Sequence, residues 1–169
     1  MSERRPIYLS RWFIAVVALL VITLGGAYYL STAVAREARD AEANAANFVE
    51  AVLKQDLDGV KRYSTAPDNA ESALRSFLSA QPDWRAQNVV RGKQSGPLRI
   101  EAQSSDGEPM YVTFDRVSDM TAGGYYAVFH TTLGGRAAGD GRVMLVAPRN
   151  GGGWTVESLE LSGVTMDLY

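Results

Sequence analysis

Residues Trp12 to Leu30 read WFIAVVALLVITLGGAYYL, 19 residues without a charge and with Thr23 as the one clear polar interruption. A helix of that length is about 28 Å long, close to the thickness of a bilayer's hydrocarbon core. Arg4, Arg5 and Arg11 precede it with one acid, Glu3, whereas Arg36 and Arg39 behind it are offset by Glu37, Asp40 and Glu42. The positive-inside rule then places residues 1–11 in the cytoplasm and the rest of the chain outside, in the periplasm or at the cell surface. Trp12, Tyr28 and Tyr29 stand where interfacial aromatic anchors belong, and membrane lipid is the expected partner of residues 12–30. A cleaved signal peptide is the alternative, with Ala33-Val34-Ala35 as its small-residue site. The apolar run exceeds the usual 7–15 residues of a signal-peptide core, which favours an uncleaved single-pass anchor.

The remainder of the chain is acidic. Residues 36–169 hold 14 of the 17 basic and 18 of the 19 acidic side chains, a formal charge of −4. No basic footprint for nucleic acid is present. The chain has no Cys and a single His, His130, so thiolate sites, disulfides and sites built on several histidines are excluded. No cofactor and no metal are expected. Arg outnumbers Lys 14 to 3, as in proteins of GC-rich bacterial genomes.

The Ala-rich, charged segment 31–44 reads as a helical stalk. Beyond it Ala45, Phe48, Val49, Val52, Leu53, Leu57 and Val60 recur at three- and four-residue spacing, which predicts one helix with an apolar face. Asp68-x-x-Glu71 has the capping-box pattern and opens a second helix carrying Ala70, Leu74, Phe77 and Leu78. After Pro82 the period changes to two. Residues 98–103, 110–115, 125–133, 142–147 and 154–161 read as strands, separated by Asp106-Gly107, Gly123-Gly124, the loop 134–141 and the turn Asn150 to Gly153. Trp154 and Val156 share one parity while Leu159 and Leu161 share the other, which predicts a bulge near Glu157-Ser158. The fold class is α+β: two helices packed on a curved antiparallel sheet of four to five strands, over residues 45–161, with 162–169 as a tail.

The helix Asn47 to Val60 (NFVEAVLKQDLDGV) and the closing strand Gly152 to Leu161 (GGWTVESLEL) resemble the first and last elements of the nuclear transport factor two-like superfamily. The resemblance covers about residues 42–161. It implies a cystatin-like cone of sheet around N-terminal helices, a scaffold shared by isomerases, dehydratases, ligand binders and membrane-anchored assembly proteins of secretion systems. Fold alone does not choose among them.

Two motifs fail on their own chemistry. Asp56-Leu57-Asp58-Gly59 lacks the glycine and glutamate that a calcium loop requires at its sixth and twelfth positions, and reads instead as a helix end with a Gly stop. Gly134 to Gly139 has Walker spacing, but Asp140-Gly141 replaces the phosphate-binding Lys and hydroxyl. His130 could act as a base with Asp115, Tyr111 or Glu101 in an exported isomerase- or lyase-like enzyme, if the strand register brings them together inside the cone. A half-exposed strand histidine is the plainer reading, and Trp84 and Trp154 read as core.

The favoured expectation is a non-catalytic binding or assembly module, recognising a protein partner or a small apolar ligand. Strands 125–129 and 143–147 are apolar at successive positions, so both sheet faces should be apolar, and the helices can cover only one. Tyr126, Val128, His130, Met144 and Val146 form the expected contact surface, covered by the tail, a second copy of the chain or another membrane protein.

Overall fold

The computed structural model describes residues 11–92, 97–115, 119–121, 124–147 and 153–169. Residues 1–10 of the expected tail, most of the turn 150–153, much of the loop 116–123 and the side chain of Trp12 lie outside the described residues. The chain divides into two units, 1–37 and 38–169, and the helix α1 (Arg11–Leu53) contributes to both.

In the first unit α1 is long and apolar enough to cross a membrane, and none of its apolar window is buried by protein. Its polar interruption is harmless in lipid, because the Thr23 hydroxyl donates to the Leu19 carbonyl at 2.9 Å and so satisfies itself within the helix. Ser31 and Thr32 do the same to Tyr28 and Tyr29.

In the second unit α1 lays Ala41, Ala45, Phe48, Val49 and Val52 into the core, all fully buried. Full burial thus starts four residues before the expected boundary at 45, and Ala38 already packs partly against the core. Alanines make a weak apolar stripe in sequence, yet their small side chains suit a buried helix face. The helix stops at Leu53, correcting the expectation of one helix through Val60. Gln55 takes a left-handed conformation (φ 57°), Asp56 N–H donates to the Ala51 carbonyl at 2.9 Å and Gln55 N–H to Val52 at 3.0 Å. This is a Schellman stop built on glutamine. Asp56 then caps a short second helix, α2 (Leu57–Tyr63), by accepting from Gly59 N–H at 3.1 Å. Gly59 is therefore in a first helical turn and is not a stop. A Cβ there would come within 2.6 Å of Asp56 Oδ2 and 2.9 Å of Ala51 Cβ.

The third helix, α3 (Ala70–Ala80), buries Ala70, Leu74, Phe77 and Leu78 as its period predicts. The capping box does not form. Asp68 sits inside a 3-10 turn (Pro67–Asn69), and Asn69 precedes the helix without a side-chain cap.

The strands are β1 (Gln87–Arg91), β2 (Arg99–Gln103), β3 (Pro109–Phe114), β4 (Asp119–Thr121), β5 (Gly124–Leu133), β6 (Arg136–Val146), β7 (Thr155–Leu161) and β8 (Val164–Asp167). They form one antiparallel sheet ordered β1-β2-β3-β5-β6-β7-β8, with β4 pairing beside β5. The expected four to five strands is too few, for three physical reasons. β1 and β4 are short, and β1 lacks alternation because only Val89 faces the core. The loop 134–141 is mostly strand: Gly134 and Gly135, both at positive φ, make the turn, and β6 starts at Arg136. The tail is a strand as well, turned by Ser162 and Gly163 at positive φ.

The predicted bulge is present. Met144 faces Ser158 and Leu145 faces Val156, leaving Glu157 as the extra residue, which lets Val156, Leu159 and Leu161 all point inward. The core joins helices and sheet through an aromatic chain: Phe77 meets Trp84 edge-on at 5.5 Å, Trp84 meets Phe129 at 5.8 Å, and Phe129 meets Phe114 at 5.5 Å. Such pairs contribute about 0.5–1.5 kcal/mol each beyond burial. Trp154 is only partly buried and packs edge-on against Tyr125 at 4.7 Å.

Candidate functional site

The inward set on the two longest strands is Tyr125, Ala127, Phe129, Val143 and Leu145, all buried. By strand alternation Tyr126, Val128, His130, Met144 and Val146 stand on the opposite, outer face, where they are partly exposed. The expected double-sided apolar character is therefore confined to the centre of this face. Around it the sheet is polar: Val128 pairs with Arg142 and Arg142 with Glu160, while Tyr126 pairs with Met144 and Met144 with Ser158.

Register brings His130 beside Thr113 on β3 and Asp140 on β6. Asp115 follows β3, and its Oδ1 lies 3.8 Å from His130 Nδ1. The two side chains do meet, but at a separation beyond a hydrogen bond and with 46% and 60% of their surfaces in water. Both belong to the outer face and not to the space between sheet and helices, which the core residues fill. The other candidate partners are engaged elsewhere. The Arg99 guanidinium stacks 3.7 Å above the Tyr111 ring, and its Nε lies 3.9 Å from Glu101 Oε1.

The face's best-formed polar contact lies outside the residues singled out from sequence. Arg142 clasps Glu160 with two nitrogens, at 2.6 and 2.7 Å, and its guanidinium carbon sits 5.6 Å from the centre of the Tyr126 ring. Arg142 and Glu160 are directly opposed on adjacent strands, so cross-strand charge pairing is the signal that could have found them once 134–141 is read as strand. A second polar group lies away from this face. Glu50 on α1 binds Lys54 at 2.6 Å and Arg91 at 3.1 Å, and Arg91 also donates to Asn47.

Among the described residues, two clefts open to solvent are formed by the helices. One of about 160 Å³ lies beside this Glu50 group and is lined by Asn47, Lys54, Asp56, Arg62 and Tyr63. The other, about 240 Å³, lies between α2 and α3 over Leu57, Leu74 and Leu78. Neither includes His130 or Asp115. Among the described residues no group of three or more His, Asp or Glu is placed to hold a metal ion. On the apolar part of α1, Tyr28 and Tyr29 are each 73% exposed.

No family model matches the sequence, and no curated protein and no solved structure matches it.

Proposed function

We propose that the chain is a membrane-anchored, extracytoplasmic binding or assembly module that acts by docking and not by catalysis. The anchor is the apolar part of α1, oriented with its arginine-rich end in the cytoplasm. The second unit belongs, on this reading, with the nuclear transport factor two-like cones, to which its helices-then-sheet order is similar. The observation that carries the proposal is the outer sheet face, which holds Tyr126, Val128, Met144 and Val146 in a half-exposed apolar centre while the interior is filled by the chain's own core. An interior packed with side chains favours a protein partner over a small apolar ligand.

An exported isomerase or lyase using His130 and Asp115 is the second reading, and their 3.8 Å approach is what favours it. Against it stands the water around both groups, since acid–base catalysis draws its strength from enclosed, preorganised surroundings.

The test is the size of the native complex extracted from membranes. Val128→Arg or Val146→Arg should shift the full-length protein to a smaller species with an unchanged melting temperature, and His130→Ala should not. An unchanged complex in both arginine variants would refute the docking face.

A further inference from the structure

Charge decides what sort of surface can lie against this face. Arg142 is neutralised by Glu160, and Arg99 is held by Glu101 and Tyr111. Asp140, one strand from His130, and Asp167, in the same cross-strand row as Met144, are exposed and have no ion pair among the described residues. Among the described residues the one ion-pair partner of Asp115 is His130, at 3.8 Å. At a strand spacing of about 4.8 Å, Asp167 lies about 10 Å from Met144, within one Debye length of the apolar centre at moderate salt. Two copies stacked face to face would bring these unpaired carboxylates together and desolvate them. An anionic lipid surface would meet the same repulsion.

Resting on the docking reading above, we infer that the outer sheet face takes a different protein, one that presents an apolar strip flanked by Lys or Arg, and not a second copy of this chain. The apolar centre supplies contact area, and the unpaired carboxylates supply orientation and encounter rate.

A benzophenone amino acid at position 128 of the full-length protein, irradiated in native membranes, tests this. The expected adduct is to another protein, at a peptide that carries basic residues beside apolar ones. Its yield should fall at least several-fold in the Asp140→Lys/Asp167→Lys double variant, and as salt rises from about 0.1 to 1 M. Both positions are exposed, so the double variant should keep its melting temperature. A protein adduct indifferent to charge reversal and salt would overturn the inference and leave the docking reading intact. An adduct at twice the chain mass would overturn it in favour of self-association. Adducts to lipid alone, or none, would remove both the inference and the reading on which it rests.

Discussion

The ring of Phe129 lies over the backbone of Gly141, its cross-strand partner, so closely that a Cβ at 141 would overlap Cζ and Cε2 of the ring. Phe129 cannot yield easily, because Phe114 and Trp84 hold its other sides. Gly141→Ala should therefore cost about 1–3 kcal/mol, the range for overpacking a filled core. Thermal denaturation of the full-length protein in detergent measures it, and Phe129→Leu in the same chain should recover part of the loss. An unperturbed Gly141→Ala protein would mean that the ring is free to move.

Phe77→Ala should destabilise by about 3–5 kcal/mol, since it empties a buried aromatic site and removes the edge of the Phe77–Trp84 pair. Trp154→Ala should cost less, because that ring is only partly buried. Equal losses in the two variants would show that Trp154 is as central as its sequence context suggests.

Leu168 is fully buried, and Leu168→Ala should cost about 2–5 kcal/mol. The segment around it is tied to the domain: Leu168 N–H donates to the Glu157 carbonyl at 2.9 Å, and Thr65 Oγ1 donates to the Leu168 carbonyl. A loose tail would tolerate the substitution, and an unchanged melting temperature would show that.

How far the fold can be read from the chain depends on the strength of periodicity. Val112 and Phe114 alternate with Tyr111, Thr113 and Asp115 and are legible as strand, whereas Ala127 and Phe129 lie in a continuous apolar run whose inward face only pairing reveals. Even the Glu157 bulge is visible in the change of parity between Val156 and Leu159. The helix break at Gln55 is not, because its stop uses a non-glycine in a left-handed conformation while an attractive glycine stands four residues later. Met166 and Leu168 alternate with polar residues after the turn Ser162-Gly163, so β8 has a signal, but one too short to outweigh its place at the chain end. The candidate pair His130 and Asp115 is legible as residue types. Which face they occupy depends on pairing, and only the β3–β5 register decides it.

His130→Ala should leave stability within about 0.5 kcal/mol of the parent, as for other exposed positions without a tight partner. Cellular function should persist too. A folded but inactive protein would promote the enzymatic reading.

A reporter that is active only outside the cytoplasm, joined after Tyr169, should be active. A well-expressed, silent fusion would reverse the orientation, and mature protein beginning at Arg36 would show that the apolar helix is cleaved.

Among the described strands every pairing joins neighbours in the chain except β3–β5, which skips β4, so most of the sheet can be assembled from local hairpins. The long-range steps come at the far side, where Thr65 reaches Leu168 across 103 positions and Ser64 bridges Val156 in parallel. Closing small loops is cheap and fast, and closing that large one is the entropic bottleneck. The expected order of assembly has the β5–β6 hairpin early and the docking of β7 and β8 beneath α3 late, which pulse-labelled hydrogen exchange would check. Until that last step Val156, Leu159 and Met166 face water, and under the proposed topology the chain would cross the membrane before this vulnerable interval has closed.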